Sequence, residues 1–92
     1  MKIRVRFLGV LAQHAGVDAL DLDLPASPLL RDLLAEIEIR FQGRFPFHFL
    51  DSEKNKLAPG LFIRGQERDL LTPDENLLEG EEIYFLLPMA GG

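Results

Sequence analysis

A chain of 92 residues, 47% apolar and 27% charged, can bury one core but not two, which points to a single globular domain and away from disorder. Its formal charge of −5 argues against nucleic-acid binding, which runs on Lys and Arg, and the absence of cysteine excludes disulfides, a thiolate nucleophile and a cysteine metal site. Charge interrupts every apolar run well short of the ~20 residues that span a bilayer, and the apolar run from Phe7 to Ala12 is shorter than a secretion signal's ~7–15 residues, so the expected location is cytoplasmic with no membrane partner.

Ile3, Val5 and Phe7 alternate with Lys2, Arg4 and Arg6, the period of two of a half-buried first strand, and Leu8 continues the charged row as an apolar exception. Residues 9–17 are small and turn-like, too short for a crossover helix, with Gly16-Val17-Asp18 as the reversal. Leu20, Leu22 and Leu24 then alternate with Asp21 and Asp23, predicting a second strand antiparallel to the first. Ser27 is a suitable N-cap and Pro28 suits a first helical turn. Leu30, Leu33, Leu34, Ile37 and Phe41 make one apolar stripe, so the spacing predicts a helix over 28–42, closed by Gly43.

Phe45, Phe47 and Phe49 fit either a short strand or an irregular wrap that adds aromatics to the core, and the wrap is favoured. Residues 51–56 read as a solvated loop, Pro59-Gly60 as a turn, and 61–64 as a strand ended by Gly65. Thr72-Pro73-Asp74-Glu75 has capping-box spacing, which predicts one helical turn over 73–77. A tight acidic turn, 78–82, leads into the last strand, where Ile83, Phe85 and Leu87 take the inner row and Pro88 ends the pairing.

A hairpin, a crossover helix and further strands fit an α+β domain over 1–87 with the helix on one face of a mixed sheet. The other face is then free. With first and last strands as neighbours, Leu8, Tyr84 and Leu86, joined by Phe62, form an exposed apolar patch suited to docking a partner. Residues 88–92, Pro88-Met89-Ala90-Gly91-Gly92, read as a flexible tail whose glycines can thread a channel too narrow for side chains, holding the Gly92 carboxylate away from the globule. Two glycines in a row arise by chance at ~0.5% of sites, so the pair gains meaning only from this setting. Residues 1–46 carry six basic and six acidic side chains and residues 47–92 four and nine, so a partner receiving the tail is expected to offer a basic rim.

His14 and His48 stand far apart with no ligand spacing around them, so no metal site is expected. Ser27 has no base at a recognisable spacing and reads as a cap. Asp21 and Asp23 read as edge protection, and Glu79, Glu81 and Glu82 as either a solvated turn or part of a docking rim.

The strand pair, the helix opened by Ser27-Pro28, the turn Leu78-Glu79-Gly80-Glu81-Glu82-Ile83 and the ending Leu87-Pro88-Met89-Ala90-Gly91-Gly92 together resemble the ubiquitin-like sulfur carriers, and among them the small subunit of molybdopterin synthase. The resemblance covers nearly the whole chain and implies a ubiquitin-like β-grasp fold. It implies that Gly92 is the reacting residue and that Pro88, Met89, Ala90 and Gly91 thread into the partner. The expected partners are an E1-like adenylating enzyme that uses ATP and Mg²⁺, a persulfide protein that donates sulfur, and the large catalytic subunit of molybdopterin synthase. The chain itself is expected to hold no permanent cofactor and to act as a non-catalytic, sulfur-carrying subunit with a Gly92 thiocarboxylate. The resemblance leaves two alternatives: a protein modifier joined through Gly92 to lysines, or a carrier for thiamine synthesis or tRNA thiolation.

Overall fold

The computed structural model describes residues 1–87. In chain order these form β1 (Lys2–Phe7), α1 (Val10–Ala15), β2 (Ala19–Asp23), α2 (Leu30–Arg40), β3 (Leu50–Asp51), β4 (Lys56–Leu57), β5 (Phe62–Gly65), β6 (Arg68–Asp69) and β7 (Glu82–Leu86). Five strands share one sheet in the order β2-β1-β7-β5-β6, and β3 and β4 pair separately. β1 and β2 are the expected antiparallel hairpin, with Ile3 opposite Leu22 and Val5 opposite Leu20. β7 returns to the centre of the sheet, parallel to β1 and antiparallel to β5. The arrangement is the β-grasp that the resemblance implied.

The period-two rows decide what is buried. Ile3, Val5, Phe7, Leu22, Ile63, Ile83 and Phe85 face α2, whose Leu30, Leu33, Leu34 and Ile37 complete the core. Phe41 meets Phe7 edge-on, and Phe45, Phe47 and Phe49 follow as the irregular aromatic wrap, with Phe49 fully buried against Phe85.

Several local expectations are corrected. Residues 10–15 form a helix rather than a turn. It is framed by glycines that supply left-handed φ, Gly9 at 57° and Gly16 at 81°, and it buries Leu11 and Ala15. Six residues carry too little periodicity to announce it. α2 starts two residues later than expected, and Ser27 is not its cap: Ser27 lies at φ 54°, while Leu29 takes the N-cap position and its N–H donates to Asp32 Oδ2 at 2.7 Å. The next two helix amides are satisfied from elsewhere in the chain, Leu30 N–H on the Glu75 carbonyl at 2.8 Å and Arg31 N–H on the Pro73 carbonyl at 2.9 Å. The same contacts explain why 73–77 is not a helical turn. Its Pro73 and Glu75 carbonyls point at α2 instead of at its own amides, and the Asn76 carbonyl accepts from Arg68. The solvated loop 51–56 closes into a small hairpin, and β6, missing from the sequence reading, follows a turn in which Glu67 has φ 61°.

Candidate functional site

β7 carries Glu82, Tyr84 and Leu86 onto the sheet face opposite α2, between the outward rows of β1 and β5. The face changes character along its length. At the start of β7, Glu82 pairs with Arg6 at 3.3 Å and with Arg4 at 3.7 Å, and Arg4 also reaches Asp21 on β2 at 3.3 Å. The Tyr84 hydroxyl donates to Glu82, and that bond to a carboxylate, with partial burial, pushes its pKa above the usual phenol value. Arg64 pairs with Asp69 at 2.8 Å. Thus the charges near the strand centre are matched, and the surplus acid expected at a docking rim is absent from this stretch of the face.

The far end is apolar. Phe62 lies opposite Leu86 across β5 and β7, and the Leu8 N–H donates to the Phe85 carbonyl at 2.9 Å, which sets Leu8 on the other flank of Leu86. Leu8, Phe62, Tyr84 and Leu86 therefore line a single groove of about 650 Å³, together with Leu57, Leu61, Leu70 and Leu71 and with Arg64 and Asp69 on its edge. Phe62 is 61% exposed and Leu71 73%. The four sequence-predicted docking residues are brought together. Leu71 was missed, and it is legible only once β6 is recognised, because Leu70 then turns into the core and Leu71 out of it. The expected tail residues Pro88, Met89, Ala90, Gly91 and Gly92 lie outside the described residues.

In the acidic turn Glu79 is exposed, as a solvated turn requires, and Glu81 alone departs from the expectation. Glu81 is only 1% exposed. Its carboxylate accepts from Arg68 Nε at 3.0 Å and Nη2 at 2.8 Å, and from the backbone N–H groups of Leu78 at 2.9 Å and Gln66 at 3.0 Å. Burial pushes this carboxyl up, but the hydrogen bonds outweigh it and hold it below the usual carboxylate range. Gly65 is required beside it, since a Cβ there would stand 2.3 Å from Glu81 Oε2. Glu79 accepts from the Lys2 N–H at 2.7 Å. Together these contacts fix the turn that launches β7. Sequence gave no sign of this, because a buried acid in an acidic run looks like its solvated neighbours.

The histidines lie apart: His14 packs near Phe45, and His48 contacts Glu38 at 3.2 Å. No group of three His, Cys, Asp or Glu residues that could hold a metal ion occurs among the described residues. No helix among them is long and apolar enough to cross a membrane.

No protein-family model matches the chain, and no curated protein matches its sequence. Solved structures do match its fold. SAMP1 from Haloferax volcanii superposes with a TM-score of 0.83 at 15% identity, with 100% of each chain covered. A putative molybdopterin converting factor subunit 1 from Pyrococcus furiosus matches with a TM-score of 0.72 at 25% identity over 97% of this chain and 99% of that one. The BexX/CysO complex of Amycolatopsis orientalis contains a chain that matches with a TM-score of 0.68 at 19% identity, covering 98% and 99%. The ubiquitin-like β-grasp fold is thereby established, and with it the resemblance to the sulfur-carrier family at the level of fold.

Proposed function

We propose that this β-grasp protein is a sulfur carrier whose Gly92 carboxylate is converted to a thiocarboxylate, and that it serves as the small subunit of molybdopterin synthase. The observation that supports this most is the apolar groove of Leu8, Phe62, Tyr84 and Leu86, set beside the strand that runs on toward Gly91-Gly92. The likeness in fold to a putative molybdopterin converting factor subunit favours the pterin branch.

A carboxylate resists nucleophiles because its charge is delocalised and its oxygen leaves poorly. An E1-like enzyme using ATP and Mg²⁺ overcomes this by joining the Gly92 carboxylate to the α-phosphorus and releasing pyrophosphate. A protein persulfide then attacks the carbonyl carbon and AMP departs. A thiol cleaves the resulting S–S bond, is itself oxidised to a disulfide, and leaves the thiocarboxylate on Gly92. In the large subunit that sulfur attacks a carbon of the pterin precursor and displaces its oxygen substituent, giving a thioester, and water hydrolyses the thioester to leave the sulfur on the pterin and restore the carboxylate. The chain contributes sulfur and a docking face, and the acid–base groups belong to the partners.

The test is an intact mass after incubation with a molybdopterin-pathway adenylating enzyme, ATP, Mg²⁺ and a persulfide donor. A gain equal to one oxygen-to-sulfur exchange, located at Gly92, is expected, and its absence sinks the reading for that enzyme. A second reading, a modifier joined through Gly92 to target lysines, is favoured by the likeness to small archaeal modifier protein 1. It predicts a ladder of larger species in cell extract that vanishes when Gly92 is deleted.

A further inference from the structure

The two edges of the sheet are guarded differently. β6 is two residues long, too short to template a further strand, whereas β2 runs over five, Ala19–Asp23, and pairs only with β1 among the described residues. The phase of that pairing is fixed. Leu24 N–H donates to the Met1 carbonyl at 2.8 Å and Phe7 N–H to the Asp18 carbonyl at 2.9 Å. With Ile3 opposite Leu22 and Val5 opposite Leu20, antiparallel alternation then turns the amides and carbonyls of Leu20 and Leu22 toward β1. Those of Ala19, Asp21 and Asp23 point outward and have no partner among the described residues. Asp21 meets Arg4 at 3.3 Å and Asp23 lies 4.0 Å from the Met1 ammonium, yet their side chains stay 72% and 77% exposed. The open edge thus carries unused backbone donors and acceptors beneath two carboxylates.

We propose that the β2 edge takes up an extended basic segment of a partner protein as an antiparallel sixth strand. Two features of the edge select that occupant. Backbone groups that repeat every second residue, at Ala19, Asp21 and Asp23, are matched by an extended chain, whose own donors and acceptors have the same repeat. Directly opposite residues of an antiparallel pair share a face, so the side chains set against Asp21 and Asp23 lie on the carboxylates, where lysine or arginine is favoured and an acid is repelled. A second copy of β2 would set aspartates against aspartates and is disfavoured for the same reason. The charges that keep this edge from its own kind therefore choose its partner. β2 is separated from β5 and β6, which supply most of the apolar groove, by β1 and β7, so this segment and the docking partner proposed above occupy different places.

The full-length chain is titrated by NMR with acetyl-Lys-Val-Lys-Val-Lys-amide and, separately, with the matching glutamate peptide. The lysine peptide is expected to shift the amide resonances of Ala19, Asp21 and Asp23 and to slow their hydrogen exchange, and the glutamate peptide to bind about tenfold more weakly. In this pairing the lysine amides face β2 and the valine amides face away. N-methylation of the lysines should therefore weaken binding about fivefold or more, and N-methylation of the valines should leave it nearly unchanged. Asp21→Lys combined with Asp23→Lys, both at exposed positions, is expected to reverse the preference between the two peptides. Equal binding of the two peptides overturns the proposal, as does indifference to which amides are methylated, a response centred on Phe62, Leu71 and Leu86, or no response in β2. None of these outcomes depends on sulfur transfer at Gly92.

Discussion

β7 emerges beside a buried carboxylate paired with a half-buried arginine and leaves beside an open apolar groove. At its start every acceptor of Glu81 is engaged, Arg68 and two backbone amides converge on it, and Gly65 has no room for a methyl group. At its end Leu86 is flanked by Leu8 and by a Phe62 that is 61% exposed. A charge has been taken out of water where the strand begins, and apolar side chains have been left in water where it ends. The first arrangement fixes the strand's position and the second leaves stabilising burial unused until something covers it. Substitutions at the two ends should therefore separate: folding suffers at one, partner binding at the other.

The largest effect belongs to Arg68→Ala. It removes the countercharge and two of the four hydrogen bonds of a Glu81 carboxylate that is 1% exposed. Breaking a buried pair from one side costs about 3–5 kcal/mol, and with Arg68 itself 30% exposed and the Leu78 and Gln66 amides kept, the low end, about 3 kcal/mol, is expected as a loss of urea midpoint. A substitution that left the midpoint in place would mean that the pair is not what holds the turn. Glu81→Gln sharpens the point through pH. Because hydrogen bonds hold the Glu81 carboxyl below its unfolded value, its stabilisation is complete above the unfolded value, about 4.3, and is lost as pH falls through the folded one. Wild type should thus exceed Glu81→Gln by about 1–3 kcal/mol near neutrality, and the gap should close on acidification. A gap that stays constant with pH, measured by urea unfolding across a pH series, would remove the carboxylate's charge from the account.

Gly65→Ala follows, at about 1–3 kcal/mol, since its Cβ would meet Glu81 Oε2 at 2.3 Å and that oxygen is held by Arg68 and Gln66. The two substitutions share one neighbour, so combining Gly65→Ala with Glu81→Gln should cost less than the sum. Additive thermal-shift or urea data would show that Gly65 is needed for some other reason.

The two ends also differed in how legible they were. The groove could be read from the sequence because period-two alternation sorts each strand into inner and outer rows, and Leu8, Phe62 and Leu86 stand out as apolar residues in outward positions. Sheet order then brought them together. The ion pair could not be read, since Glu81 and Arg68 are 13 residues apart and Arg68 sits on β6, a two-residue strand that pairs with β5 and not with β7. Similarly, Ser27-Pro28 had the composition of a helix start, yet the α2 amides were satisfied by Pro73 and Glu75 carbonyls from a distant loop. Local rules name candidates for capping and pairing. Tertiary contacts choose among them, and short elements such as α1 and β6 are written almost wholly in those contacts.

The smallest effect on folding belongs to the groove, and it makes the sharpest test of the comparison. Phe62→Ser and Leu71→Ser replace side chains that are 61% and 73% exposed, so each should change stability by no more than about 0.5 kcal/mol. If the groove docks the adenylating enzyme, the same substitutions remove an apolar anchor from the interface, where truncating a central residue costs about 2 kcal/mol or more. The KM for the carrier should then rise about 30-fold with kcat nearly unchanged, because the lost contact is made equally in the ground and transition states. Thiocarboxylate yield measured by intact mass at limiting carrier would fall in step, and saturating carrier would restore it. A variant that folds normally and is activated with unchanged KM would show that the exposed residues at this end of β7 are only scattered surface apolar groups, and would leave the tail without a docking face.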